Sequence, residues 1–142
     1  MKYHFKVHCE DGGYWAECLE LEGCQTQADD LVELQANMEE VLNLYLCEPE
    51  DSKTIFALPK KVKSDTKIVE VEVNPCVAFA VLLRMTRLKR NLSMREMAKQ
   101  LHYKNLNSYV KLEKPQTANP ELKTLAKIKR AFKEFPIELV LS

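Results

Sequence analysis

The chain has 142 residues, 46% of them hydrophobic and 30% charged, and its 21 basic residues balance its 21 acidic ones. No stretch approaches the roughly 20 apolar residues that a membrane-spanning helix needs, and Met1 is followed by polar residues rather than by the apolar run of a secretory signal. Composition therefore argues against a membrane protein, and we expect a cytoplasmic one.

The charges are divided unequally along the chain. Residues 1–74 contain seven lysines, no arginine and sixteen acidic residues, a balance of −9, whereas residues 75–142 contain fourteen basic and five acidic residues, a balance of +9. A sign change at mid-chain predicts two domains with different partners, 1–74 and 75–142, because a phosphate backbone attracts a basic domain and repels an acidic one.

The cysteines indicate a reducing compartment. There are five of them, an odd number, and none forms a C-x-x-C pair. Their spacing relative to His4 and His8 matches no zinc motif. We therefore expect reduced thiols, no metal and no cofactor.

The acidic half begins with a predicted β-hairpin. Apolar and polar residues alternate over 2–9, the D-G-G sequence at 11–13 supplies a turn, and residues 14–21 form the returning strand.

A third strand, a helix and a last strand follow. Residues 24–27 are long enough for a short strand, and Asp29 or Asp30 can cap a helix with one apolar face over 31–45. Residues 68–73 alternate again as a final strand. The order β-β-β-α-β predicts an α+β domain, a sheet with one helix on a face.

The residues do not favour catalysis in this half. Carboxylates that bind Mg²⁺ for nuclease chemistry must converge, but the first strand has no acidic residue between Lys2 and Cys9. Glu17 and Glu20 are expected on a solvated strand face, and no phosphate loop or nucleophile elbow is present. We predict that the protein is not an enzyme.

The basic half is predicted to be all helical. Asn74 as cap and Pro75 at the first helical position begin a helix that runs to about Asn91. Its first turns are apolar around most of their circumference, so it needs two packing partners. We expect part of this surface to mediate self-association.

Two short helices and a last amphipathic helix follow. Ser93 and Glu96 form a capping box, Asn105 begins the next helix, and the Asn119-Pro120 pair begins the last one. Two short helices joined by a tight turn and flanked by helices predict a helix-turn-helix domain, which delivers its second helix to the major groove of DNA.

The residues that face outward from the two short helices suit DNA recognition. Asparagine can pair with adenine and lysine with guanine, while the remaining basic residues lie nearer phosphates. The predicted DNA contacts are Ser93, Arg95, Lys104, Asn105, Asn107, Ser108, Lys111 and Lys114. The alternative is a protein-interaction domain with a solvated lysine face.

The C-terminal segment 137–141 is strand-like, with no predicted strand beside it. An unpaired strand edge favours pairing with a second copy of the chain. We therefore expect a homodimer or homotetramer.

The basic half resembles the lambda-repressor-like (Xre) helix-turn-helix family. Residues 92–101, L-S-M-R-E-M-A-K-Q-L, stand where that family has L-S-x-x-E-x-A-x-x-L. The resemblance covers roughly residues 80 to 133. It departs in the turn, where residues 102–105 replace the usual glycine-led sequence.

The whole chain resembles the HicB antitoxin family. The matching pieces are D-G-G-Y at 11–14, residues 21–29 with the helix after them, and V-E-V-N-P at 71–75 before the helix-turn-helix. The resemblance implies a reduced RNase H-like N-terminal domain without nuclease activity. It also implies a partner, a small HicA toxin that cleaves mRNA, and repression of the shared operon.

A toxin surface built for RNA should be basic, so acidic residues of the N-terminal domain are the expected toxin contacts. They are Glu17, Glu20, Glu22, Asp29 and Asp30. Two alternatives remain open: a free-standing repressor whose N-terminal domain senses a ligand or dimerises, and a metal-dependent hydrolase that uses Glu17 or Asp29.

Overall fold

The protein has a mixed α+β fold, as the sequence predicts, with a four-stranded antiparallel sheet and six α-helices. The computed structural model describes residues 1–142 throughout. The chain divides into two compact units, the first comprising residues 1–46 and 56–73, the second residues 47–55 and 74–142. None of the helices combines the length and the apolar character that crossing a membrane requires.

The first unit is built on the sheet. Its strands are β1 (Lys2–Glu10), β2 (Gly13–Cys18), β3 (Gln25–Ala28) and β4 (Ile68–Glu72), arranged in the order β3-β2-β1-β4. The alternation along β1 buries Tyr3 and Phe5 on one face, as a period of two requires. The predicted order of strands and helix in this half is confirmed.

Helix α1 (Leu31–Leu46) packs against this sheet. Asp30 begins it, because its Oδ1 accepts a hydrogen bond of 2.7 Å from the backbone N–H of Glu33. The buried side chains recur at every fourth residue: Leu34, Met38, Leu42 and Leu46. Burying each of them contributes about 1.5–3 kcal/mol.

The second unit is organised around α2 (Pro75–Lys89). Its start is as predicted: the side chain of Asn74 accepts a hydrogen bond from the N–H of Cys76 at 2.9 Å, and Pro75 is the first helical residue. Residues 77–87 are all buried within the single chain. The prediction that α2 leaves an apolar surface for self-association is therefore wrong, because its own chain covers that surface.

Four further α-helices and one 3-10 helix complete this unit. They are α3 (Met94–Gln100), α4 (Leu106–Val110), the 3-10 helix Lys111–Glu113, α5 (Leu122–Ala131) and α6 (Ile137–Leu141). Helix α5 begins later than Asn119-Pro120: Glu121 precedes its first residue and no side chain caps it. All five cysteines are free thiols.

The C-terminal segment is a helix, which corrects the prediction of a strand. The backbone N–H of Leu139 donates to the carbonyl of Pro136 at 3.0 Å, closing a helical turn. Helix α6 packs against α2, and Phe135 just before it meets Phe79 edge to face with ring centroids 5.8 Å apart. The tail therefore packs as a helix within the unit and forms no free strand edge, although none of its residues is buried and Leu141 is 74% exposed.

The division into units differs from the predicted boundary at Asn74 and at residues 47–55, which belong to the second unit. In that segment Glu50 lies 3.6 Å from the ammonium of Lys114. With Glu48, Glu50, Asp51 and Lys53 counted there, the balances become −7 for the first unit and +7 for the second. The charge separation persists, but an acidic segment accompanies the basic unit.

Candidate functional site

Helix α3 begins at a complete capping box. The Ser93 hydroxyl accepts from the N–H of Glu96 at 3.0 Å, and the Glu96 carboxylate accepts from the N–H of Ser93 at 3.0 Å. These bonds to Ser93 lower the pKa of Glu96 below its usual value. The predicted box is confirmed, and the hydroxyl proton of Ser93 remains available for donation.

The turn between α3 and α4 is closed without glycine. The N–H of Tyr103 donates to the carbonyl of Ala98 at 2.9 Å and that of His102 to Lys99 at 3.1 Å, the two bonds of a Schellman motif. His102 has φ +60°, the left-handed conformation that usually selects glycine. The turn therefore forms although the sequence has no glycine at this position.

Lys127 of α5 fixes this turn from the side. Its ammonium donates to the carbonyl of Leu101 at 2.8 Å and lies 4.8 Å from the ring centroid of Tyr103. A helix-terminal carbonyl otherwise lacks a partner, so the lysine satisfies a group that α3 leaves free. Sequence reasoning did not identify this role, because the contact joins residues 26 positions apart.

Helix α4 presents a polar outer face. Asn105 caps it, its Oδ1 accepting from the N–H of Asn107 at 2.8 Å, and Tyr109 is fully buried. Asn107 and Ser108 of α4 are exposed, and so is Lys111 at the start of the 3-10 helix that follows. The side chain of Asn107 is thus free for recognition, whereas the oxygen of Asn105 is used by its own helix.

All eight predicted DNA contacts are exposed. They are Ser93, Arg95, Lys104, Asn105, Asn107, Ser108, Lys111 and Lys114. The positive charge of Lys114 is partly neutralised, because its ammonium lies 3.6 Å from a carboxylate oxygen of Glu50. The two helices and their turn therefore form a surface with hydrogen-bonding and cationic groups and few apolar ones, which suits contact with a nucleic acid.

A buried ion pair holds α4 in place. The guanidinium of Arg87 donates from Nε and Nη2 to the two oxygens of Glu113, at 2.7 and 3.0 Å, and from Nη1 to the carbonyl of Leu92 at 3.0 Å. The Tyr109 hydroxyl donates to the same carboxylate. Burial alone would lower the pKa of Arg87, but Glu113 outweighs burial and raises it.

Sequence analysis missed this pair, although a signal was present. Arg84 and Arg87 stand in a helix that is apolar on nearly every side, where a charged residue must be paired or placed in a polar cavity. Glu113 is one of only five acidic residues in the basic half. The scarcity of acids in this half therefore indicates Glu113 as a candidate partner for a buried arginine.

The first unit carries an open acidic hollow at the hairpin end of the sheet. Its volume is about 870 Å³, and its lining includes Glu10, Asp11, Asp29 and Glu33 but no lysine, arginine or histidine. Two large apolar side chains at the start of α1, Leu31 and Val32, are 56% and 84% exposed. Acidic side chains therefore line the hollow, and exposed apolar side chains lie beside it on the first turn of α1.

The predicted toxin contacts do not share one location. Asp29 lines the hollow and Asp30 begins α1 beside it. Glu22 is exposed, and Glu17 on β2 lies 3.6 Å from the ring of His8.

Glu20 is placed differently from the prediction of a solvated acid. Its side chain is 1% exposed and accepts from the backbone N–H of His4 at 2.9 Å, from the His4 ring at 2.7 Å and from the N–H of Lys60 at 3.3 Å. A carboxylate with these partners ties β1 to the segment before β4. It offers no free oxygen to a protein partner.

No three His, Cys, Asp or Glu side chains converge in a way that would hold a metal ion. A comparison of the chain with protein-family models finds no match, and a comparison with curated protein sequences also finds none.

Proposed function

We propose that the chain is an antitoxin of the HicA/HicB type. Its first unit binds and blocks a small basic mRNA-cleaving toxin, and its second unit binds the operator of its own operon. One observation carries the proposal: the first unit has an acidic hollow lined by no basic side chain, and the second unit has a helix face with polar and basic side chains. Surfaces of opposite charge on separate units suit a protein that binds one basic partner and one partner with phosphate groups.

The second unit is proposed as a lambda-repressor-like helix-turn-helix domain. Helix α3 would cross the DNA backbone and α4 would enter the major groove, with Asn107, Ser108 and Lys111 toward base edges. Ala98 is buried where the helices approach each other, and the pair Arg87–Glu113 holds the end of α4 on α2. Operators of such proteins are near-palindromic, so we propose that a dimer or a dimer of dimers binds.

The first unit is proposed as a reduced RNase H-like domain without nuclease activity. The antiparallel sheet with α1 on one face supports this proposal. Asp29 and Asp30 remain proposed toxin contacts, and Asp11 and Glu33 join them because they lie around the same hollow. Glu20 leaves the set because its carboxylate is buried.

The neighbouring gene supplies the first test. The candidate toxin is a basic protein encoded by a short adjacent reading frame. It would be co-expressed with the full chain, and cell growth and mRNA integrity would be measured. We expect the full chain to restore growth and to copurify with the toxin. A free-standing repressor would instead have no such neighbour, and toxicity unaffected by the chain would reject the antitoxin proposal.

Charge-neutral variants of the full chain locate the interface. Replacing Asp29 by Asn together with Glu33 by Gln should slow toxin association and reduce its dependence on salt, because steering by the hollow is lost. The matched control replaces Glu70 and Glu72 by Gln on β4, at the other edge of the sheet. Equal loss in both double variants would exclude the hollow as the binding surface.

A further inference from the structure

A second concavity lies in the second unit, and Lys114 is the one predicted DNA contact among its lining residues. Its volume is about 260 Å³. Arg84 of α2, Met94 at the start of α3 and Val110 at the end of α4 line it, together with Cys47, Glu48, Glu50 and residues 113–116. The concavity is therefore bounded by the elements that carry the proposed DNA surface.

Arg84 is a buried cation without a hydrogen-bond partner on one edge of its guanidinium. The residue is 4% exposed, and its Nε and Nη2 atoms have no partner. Burial lowers the pKa of Arg84, yet a guanidinium stays charged at neutral pH. An unpaired charge in a buried position is costly, so the site favours any anion that can reach it.

Nε and Nη2 are also the atoms through which two other arginines of this unit bind carboxylates. Arg87 uses Nε and Nη2 to hold Glu113 at 2.7 and 3.0 Å, and Arg90 uses the same atoms to hold Glu134 at 2.6 and 2.9 Å. These parallel N–H groups match a carboxylate or phosphate edge in a two-point contact. Arg84 presents the same fork without an acceptor.

The acidic residues around the concavity do not fill this fork. Glu113 is engaged by Arg87, Glu50 lies beside Lys114 at 3.6 Å, and Glu48 acts on Arg84 only through its charge. Lys114 adds a second cation to the lining. The volume equals that of about eight or nine water molecules at roughly 30 Å³ each, room for an oxyanion with a small organic body.

We propose that this concavity is a binding site for a small oxyanion, a carboxylate or phosphate group, held in two-point contact by Nε and Nη2 of Arg84. Lys114 supplies an additional positive charge at the same site. Because Met94 and Val110 belong to α3 and α4, an occupant would also brace these two helices. The site itself does not depend on the antitoxin proposal.

The test is a titration of the full chain followed by NMR of the arginine Nε–H groups. Inorganic phosphate and acetate are added in separate series, with sodium chloride keeping the ionic strength constant. We expect one resonance, absent in Arg84→Lys, to move to saturation. Arg84→Lys keeps the charge but loses the fork, so its affinity, measured for both proteins by isothermal titration calorimetry, should fall about tenfold or more. Arg130→Lys, an exposed arginine of α5 outside the predicted DNA contacts, should bind like the wild type.

Each outcome decides the proposal. Saturation with phosphate alone identifies a phosphate-bearing ligand, and saturation with acetate alone identifies a carboxylate. An Arg84 resonance that does not respond to either anion, as when Glu48 already occupies the fork in solution, overturns the proposal. So does an Arg84→Lys variant that binds as tightly as the wild type. The wild-type titration decides by itself if Arg84→Lys does not fold.

Discussion

The Arg87 guanidinium donates hydrogen bonds to both carboxylate oxygens of Glu113, and these two side chains are only 8% and 2% exposed. The contact joins α2 to the 3-10 helix that follows α4, and Tyr109 donates to the same carboxylate. The orientation of the proposed recognition helix therefore depends on a buried charge pair rather than on apolar packing alone.

Removing one partner of this pair should cost much of the stability of the second unit. Glu113→Ala leaves the Arg87 guanidinium buried and uncompensated, so we expect the free energy of unfolding to fall by about 3–5 kcal/mol. Denaturant unfolding measures this. Glu134→Ala removes the partner of the exposed Arg90 and should have a far smaller effect. Similar losses in the two variants would contradict a special role for the buried pair.

The outer face of α4 should determine operator affinity. Asn107→Ala or Lys111→Ala should each weaken operator binding by about 1–3 kcal/mol if these side chains reach base edges, and toxin binding should not change. Fluorescence anisotropy with the operator fragment at several salt concentrations measures both the loss and its salt dependence. Lys111 acting on a phosphate would instead reduce the salt slope by about 1.

Two exposed residues of the same unit serve as controls for these variants. Asn119→Ala and Lys123→Ala make the same chemical changes away from α4. If they weaken operator binding as much as the α4 variants do, α4 is not the reading helix.

His102→Gly should stabilise the protein. The left-handed φ of +60° costs a side-chain-bearing residue about 1–2 kcal/mol, while glycine adds roughly 0.5–1 kcal/mol of unfolded-state entropy, so a modest net gain remains. Thermal unfolding should give a higher Tm. His102→Ala keeps the Cβ and should not raise it. A gain with alanine equal to that with glycine would assign the effect to the imidazole.

Acidification should remove part of the stability through two carboxylates. Bonds to Ser93 lower the pKa of Glu96, and the hydrogen bond to Arg90 lowers that of Glu134, both from a usual 4.5. Each carboxylate therefore stabilises the fold above about pH 4.5, and this contribution disappears as the pH falls through the lower folded-state pKa. The variant Glu96→Gln with Glu134→Gln should show a flatter fall of Tm below pH 4.5. An unchanged slope would contradict the assignment.

Local signals allowed much of the fold to be predicted. Alternation identified β1 and β4, the Asn74–Pro75 pair located the start of α2, and Ser93 with Glu96 located that of α3. These features act over a few residues, so a single sequence is enough to read them. The exposed residues of α4 were identified for the same reason.

Features that depend on distant partners could not be read in this way. The apolar residues of 137–141 are typical of a strand, but α2 offers this segment a helix surface to pack on and no strand edge. The sequence predicts a solvated Glu20, but its carboxylate accepts hydrogen bonds from the backbone N–H groups of His4 and Lys60. In each case the partner lies more than fifteen residues away, and nothing near the residue indicates it.

The path of the chain between the two units limits how they can be exchanged. Residues 47–55 belong to the second unit, so the chain passes from one unit to the other three times, at 46/47, 55/56 and 73/74. A chimera that joins residues 1–74 to a foreign DNA-binding domain would separate Glu48 and Glu50 from Arg84 and Lys114. Recombination at the charge boundary would therefore transfer an incomplete second unit, without residues 47–55.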